Sequence, residues 1–198
     1  AVRGTQHARP DAGQGDLMTP VLTHPPERLL LAQPVQVLFL DVDGVLTDGG
    51  LLMTESGETI KRFHTLDGHG IKLLQRCGIQ VAVITGRDSP ALRLRMAQLG
   101  IAHAHYGTED KLPAAQRTLQ TLGLDWSQAA AMGDDWPDVP VLKRCALAVA
   151  PPNAQEDVRA LVHWVTPRAG GHGAVRDVCD LLLIATGHYA RWWRELQA

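Results

Sequence analysis

Cysteine is scarce in this chain. Its 198 residues hold three, Cys77, Cys145 and Cys179, odd in number and far apart. Such a set cannot staple a small secreted domain. It reads as small core residues of a reducing compartment, so the cytoplasm is the expected location. Long hydrophobic runs are missing as well. No apolar stretch reaches the ~18 residues that a membrane helix needs, and the N-terminus lacks the apolar centre of a signal peptide. Neither sign of charge dominates, with 19 Lys and Arg against 21 Asp and Glu and a net charge of −2. That balance gives no electrostatic field for nucleic acid or a membrane surface, and neither is an expected partner. The nine histidines are scattered, without zinc-like spacing beside cysteine. What remains, at 45% hydrophobic residues, suits one compact domain with a sizeable core.

Residues 1–33 differ from the rest. Pro, Gly, Thr and His are frequent up to Pro26 and no periodicity is visible, which predicts a flexible or loosely docked extension. Met18 offers an alternative start, and Glu27–Ala32 a short helix. From Val35 onward strands and helices alternate. Buried strands are predicted at Val35–Leu40, Gln80–Ile84 and Gln128–Met132, with shorter ones at His103–Tyr106, Ala146–Val149 and Val162–Val165. Helices are predicted at Asp67–Cys77, at Pro90–Leu99 behind the N-cap Ser89, and at Leu112–Leu122, Pro137–Arg144 and Ala154–Ala160. A final helix begins near Gly173. Leu51–Thr54 and Thr59–Phe63, flanking Ser56-Gly57, read as a β-hairpin projecting from the sheet. The whole is an α/β fold, a doubly wound parallel sheet, over residues 34–187, with a tail at 188–198.

Three of the predicted strands end in polar sequences: DVDG at Asp41–Gly44, TGR at Thr85–Arg87 and GDD at Gly133–Asp135. In open α/β sheets such carboxyl ends converge on one crevice. Asp41 and Asp43 share a face of an extended chain, and Gly44 lets the backbone turn tightly. Carboxylates brought together repel, so Asp41, Asp43 and Asp134 ask for a cation. All-oxygen ligation favours Mg2+ over zinc or copper. The Thr85 hydroxyl and the backbone N–H at Gly86 can hold a phosphate near a helix N-terminus. Lys111, at the start of a predicted helix, can balance phosphate and carboxylates.

The ordered set DVDGVLTDG, TGR, Lys111 and GDDWPD resembles the haloacid dehalogenase superfamily of phosphatases, from Val35 to the end of the chain. The DVDGVLTDGG opening, the KRFHTLDGHGIK segment (Lys61–Lys72) and the GGHGAVRDVCDLLL stretch (Gly170–Leu183) are most similar to the branch that hydrolyses 3-deoxy-D-manno-octulosonate 8-phosphate for lipopolysaccharide precursors. The resemblance implies that Asp41 is the nucleophile, giving an aspartyl-phosphate. Asp43 would be general acid and then base. Mg2+ would be held by Asp41, Asp134 and the main-chain carbonyl of Asp43. Thr85, Gly86 and Lys111 would bind phosphate, and Asp135 and Asp138 would stand behind, orienting Lys111 or a metal-bound water.

Arg62, Arg87, the turn at Asp67-Gly68-His69-Gly70, Arg176 and a flexible Gly170–Gly173 element are the expected contacts to the acidic sugar. Relatives often carry arginine where Leu66 stands. There is no room for a cap domain between the motifs. The resemblance therefore implies a homotetramer in which a neighbour covers the site, with Leu51, Leu52 and Ile60 of the hairpin at the interface. Trp192-Trp193 in the tail either packs locally or docks on a neighbour. A nine-carbon keto-acid 9-phosphate is the alternative substrate. A non-catalytic oligomerising module is the alternative of another class, opposed by the intact Asp41, Asp43, Lys111 and Asp134. A phosphotransferase would want a cap. A phospho-acceptor module would need neither Asp43 nor a late GDD.

Overall fold

In the computed structural model the described residues are 23–55 and 57–198. The extension expected over residues 1–33, and the start at Met18, lie outside them up to residue 22. Its last part is not flexible. Helix α1 (Pro26–Ala32) begins on a proline whose missing N–H no helix start needs, and it packs on the last long helix of the domain with Ala32 fully buried.

The sheet contains β1 (Val37–Leu40), β4 (Gln80–Ile84), β5 (His103–His105), β6 (Ala129–Met132), β7 (Leu147–Ala150) and β8 (Trp164–Val165). All pair in parallel, in the order β5-β4-β1-β6-β7-β8. The chain therefore builds outward from β1 on one side, then crosses β1 and builds outward on the other. β1 lies at the crossover, flanked by β4 and β6, with Leu40 level with Val83 and Met132. That alignment brings the residues following these three strands to one edge.

Alternation along each strand feeds two cores. Leu38, Leu40, Val81, Val83, Ala130 and Met132 face a layer made of α1, α2 (Thr65–Arg76), α3 (Pro90–Leu99), α7 (Ala174–Ala185) and α8 (His188–Glu195). Val37, Phe39, Ala82, Ile84, Ala129 and Ala131 face α4 (Lys111–Leu122), α5 (Val139–Leu142) and α6 (Glu156–Leu161). Burying a leucine or isoleucine side chain contributes ~1.5–3 kcal/mol, so strands covered on both faces read as near-continuous apolar runs.

The hairpin projects as expected, but its strands are shorter: β2 (Leu52–Thr54) and β3 (Gly57–Ile60). β3 ends before Phe63 because Lys61 and Arg62 turn back to Asp43 and Asp48. The helix expected over Asp67–Cys77 is present, and the Asp67–Gly70 segment also read as a turn is its opening: α2 starts at Thr65, where the His64 ring accepts from the Leu66 N–H at 3.3 Å. The glycines serve packing rather than turning. A Cβ on Gly68 would lie 2.4 Å from Arg95 Nη2, and one on Gly70 would lie 2.9 Å from Cys179 Cβ in α7.

Candidate active site

Asp41 follows β1 directly, and its N–H donates to the Met132 carbonyl at 3.1 Å, holding the exit of β1 in register with β6. Gly133 then leads from β6 to Asp134. Gly44 takes φ +86°, and a Cβ there would fall 2.0 Å from Asp134 Oδ2, so only glycine lets the first loop pass that carboxylate. From the other flank Thr85 follows β4, and Lys111 opens α4.

One oxygen each from Asp41, Asp134 and Asp138 lies within 4.8 Å of the others. Lys111 Nζ stands 2.8 Å from Asp41 Oδ1 and 2.6 Å from Asp138 Oδ1, with its side chain 6% exposed. The second oxygen of Asp138 accepts from the N–H groups of Asp134 (3.0 Å) and Asp135 (3.3 Å). Asp138 thus bonds both the lysine and the GDD loop, and also joins the acidic cluster itself. Asp135 turns its own carboxylate onto the Trp136 N–H at 2.8 Å and stays exposed at the rim.

Carboxylates outnumber the ammonium here, and the proton affinities register it. Burial, then repulsion from Asp41 and Asp138, pushes Asp134 up to about 8. Burial, then Asp138, pushes Asp41 up to about 6 against the pull of Lys111. Burial draws Lys111 down, but Asp138 and Asp41 outweigh it and the amine ends above its ordinary value. Asp134 Oδ1 is buried without a hydrogen-bond partner among the described residues. A crowded set of oxygens, one of them orphaned, fits a hard divalent cation such as Mg2+.

Asp43 faces the same cleft. Lys61 Nζ lies 2.5 Å from its Oδ1 and Arg87 Nε 3.7 Å from its Oδ2. The Thr85 hydroxyl accepts from the Arg87 N–H at 3.2 Å, shaping the TGR turn. Asp41, Asp43, Thr85, Gly86, Arg87, Lys111, Asp134, Asp135 and Asp138 all line one cleft of about 280 Å³. Arg62 is exposed and pairs with Asp48 at 3.0 Å and His172 at 2.9 Å.

Of the expected sugar contacts only Arg87 lines this cleft; Arg62, the Asp67–Gly70 segment, Arg176 and Gly170–Gly173 do not. Asp67 is 1% exposed, and its Oδ1 accepts from the Arg176 N–H at 2.8 Å, capping the first turn of α7. Gly68 is buried beside Arg95. Arg176 Nε pairs with Asp180 at 2.7 Å and borders a separate groove with His69, Leu73, Tyr189 and Trp192. The tail also packs locally, with Trp192 under the Arg76 guanidinium at 5.0 Å. The Gly170–Gly173 element is corrected from flexible to clamped. Gly171 N–H donates to Val45 O at 3.0 Å, and Asn153 bridges Gly44 O (2.9 Å) and Gly170 N–H (2.7 Å).

Lys61 and Asn153 escaped the sequence reading. Period-2 alternation past the outward Ile60 points Lys61 inward, a signal that was present. Nothing local marks Asn153, whose role depends on pairing across the fold.

The profile of the haloacid dehalogenase-like hydrolases matches residues 106–177. The 3-deoxy-D-manno-octulosonate 8-phosphate phosphatase of Salmonella typhi is 42% identical over 168 residues, covering 85% of this chain and 88% of the relative. The crystal structure of the enzyme of that name from Yersinia pestis superposes with a TM-score of 0.81 at 41% identity, over 83% of this chain and 89% of the other. The one from Moraxella catarrhalis, in complex with magnesium ion, phosphate ion and KDO, superposes with a TM-score of 0.84 at 36% identity, over 88% of this chain and 100% of the other.

Proposed function

The chain belongs to the haloacid dehalogenase-like hydrolases and, among them, to the 3-deoxy-D-manno-octulosonate 8-phosphate phosphatases, and from that premise we propose how its residues share the reaction. It is a Mg2+-dependent phosphomonoester hydrolase that releases KDO and phosphate from the 8-phosphate, a step of lipopolysaccharide precursor synthesis. A carboxylate oxygen of Asp41 attacks phosphorus as the bond to the sugar oxygen breaks, leaving an aspartyl-phosphate. Asp43 gives its proton to the departing oxygen and later takes one from the water that cleaves the aspartyl-phosphate. Mg2+, held by Asp41, Asp134 and the Asp43 main-chain carbonyl, supplies neutralising charge. Lys111, Thr85 and the Gly86 N–H meet the phosphoryl oxygens, and Asp138 keeps Lys111 in place. Arg87, at the cleft wall, and Arg62, outside its lining, are the cations for the sugar carboxylate.

The observation that carries this reading is the cluster of Asp41, Asp134 and Asp138 around one lysine, with an orphaned Asp134 oxygen, at the ends of adjacent strands. The test is phosphate release from a panel of sugar phosphates, with Asp41→Asn as blank. Preference for the octulosonate phosphate over nine-carbon keto-acid 9-phosphates and hexose phosphates is the expected result. Equal turnover of all would discard the substrate, and turnover by Asp41→Asn would discard the nucleophile.

The assembly belongs to the same proposal: a cytoplasmic homotetramer in which hairpins pack together and cover a neighbour's cleft. Leu51, Leu52 and Ile60 are 41%, 54% and 61% exposed on an element with no core of its own, a surface that favours burial. No helix among the described residues is long and apolar enough to cross a membrane. Sedimentation at working concentration should give four chains; a monomer would reject the assembly.

A further inference from the structure

We infer that Lys61 is a positioning residue for the acid–base step, which fixes Asp43 so that one chosen carboxylate oxygen works on the leaving group. The inference rests on the reading of Asp43 as acid and base. Lys61 Nζ sits 2.5 Å from Asp43 Oδ1, and its side chain is 2% exposed. The Thr47 hydroxyl lies 3.5 Å from the same oxygen, its one proton shared with the Val42 carbonyl at 3.4 Å. Oδ1 is thereby occupied. Arg87 Nε, at 3.7 Å from Oδ2, is beyond hydrogen-bond reach. Oδ2 is the oxygen left to the cleft.

The chemistry needs that division. In the first step a proton passes from Oδ2 to the sugar oxygen as the P–O(sugar) bond breaks and the P–O(Asp41) bond forms. In the second a water proton returns to Oδ2 as the water oxygen bonds to phosphorus and the P–O(Asp41) bond breaks. One oxygen serves both steps only if the carboxyl group does not rotate between them. An ammonium locked on Oδ1 prevents that rotation, and alignment of this kind is worth orders of magnitude in rate.

Position follows from the hairpin. Lys61 is the first residue after β3, and Arg62 beside it is tied to Asp48 at 3.0 Å. The stem is therefore stapled twice to the loop that carries Asp41 and Asp43, and a displaced hairpin would carry Lys61 off Asp43. The exposed apolar hairpin and the working oxygen are joined through one buried amine.

The test compares kcat/KM for the sugar phosphate with that for p-nitrophenyl phosphate, whose leaving group departs without a proton. This ratio of constants reports only the steps through the first bond cleavage. Lys61→Met should lose about 10²-fold on the sugar phosphate, the lower end of the worth of general acid catalysis, and less than about 3-fold on p-nitrophenyl phosphate. Lys61→Arg should recover most of the loss. Equal losses on both substrates would assign Lys61 to the fold and overturn the inference, as would no loss on either. Should Lys61→Met fail to fold, Lys61→Gln gives the same comparison. Asp43→Asn separates the two levels. If it discriminates between the substrates and the lysine variants do not, the inference alone falls. If Asp43→Asn does not discriminate, the acid–base reading falls first and takes the inference with it.

Discussion

Two sets of buried aspartates in this protein face opposite fates. Asp41 and Asp138 converge from strand end and loop on a single ammonium, with Asp134 crowded against them, one of its oxygens left unbonded, and a cleft beside them. Asp67 in α2 and Asp177 and Asp180 in α7 meet guanidinium groups and helix N–H groups, although Asp67 Oδ2 too lacks a hydrogen-bond partner among the described residues. Asp180 pairs with Arg176, Asp177 with Arg168, and Asp67 with the first turn of α7. Burial raises the proton affinity of Asp67 and Asp180 too, but there the next influence is a hydrogen bond from Arg176 that opposes burial, where at Asp134 it is a second carboxylate that adds to it. The difference teaches that burial of an acid says little about its work. What decides is whether its neighbours are cations and N–H groups or further carboxylates that leave the set short of positive charge.

Breaking the comparison should give effects of opposite kind. Asp41→Asn is expected to lower phosphate release by at least ~10⁴-fold while raising the heat-unfolding midpoint of the metal-free protein, since it removes a charge from a crowded set. A large loss of stability would erase the distinction between the two regions. Chelation should stop turnover by ~10³-fold or more, with recovery on added Mg2+; full activity in chelator would refute the metal site. In the other region Asp67→Ala should destabilise by about 1–2 kcal/mol, the worth of a lost helix cap, with kcat within about 2-fold per folded molecule. A larger fall in kcat would return Asp67 to the substrate.

The pH dependence of stability sharpens the same contrast. Asp134 is pushed from 3.8 up to about 8 in the folded, metal-free protein. Between those values the folded chain holds more protons than the unfolded one, so stability must fall as pH rises through that window and be fully retained below it. Urea midpoints at pH 5 and pH 8 in chelator should show the fall, and saturating Mg2+ should flatten it; a slope unchanged by the metal would place its origin elsewhere. The smallest effect concerns thiols. Burial pushes Cys145 up to about 12 and Cys179 well above its ordinary value, leaving half-buried Cys77 as the site of slow alkylation in the native protein. Equal labelling of all three would mean that the cores on both faces of the sheet open.

Much of the architecture is legible in the chain because its signals are local. Apolar runs of strand length, each followed by a polar dipeptide or tripeptide, locate β1, β4 and β6 and the residues after them. Lys111 at the head of α4 follows from the same order. The failures are of two physical types. Asp67-Gly68-His69-Gly70 looks like a turn because glycine usually marks one, yet here two helices approach so closely that a Cβ has no room. Arg176 looks like a carboxylate receptor, and it is one, but its carboxylate is Asp180 in its own helix. The glycine case turns on partners distant in sequence, Arg95 and Cys179, which no local window contains; the arginine case turns on a partner four residues on in the same helix, a spacing visible in the chain but passed over.

The bridge from Asn153 to the Gly44 carbonyl and the Gly170 N–H has a consequence in time. The loop bearing the nucleophile is among the first parts of the domain to be synthesised, while the residues that clamp its backbone arrive more than a hundred positions later. A nascent chain can hold β1, β4 and even Lys111 and still lack the support that fixes Gly44 beside Asp134. The clamp on that loop is thus completed by late arrivals, and a ribosome-bound fragment ending before residue 153 already carries Asp41, Asp43 and Asp134 without it.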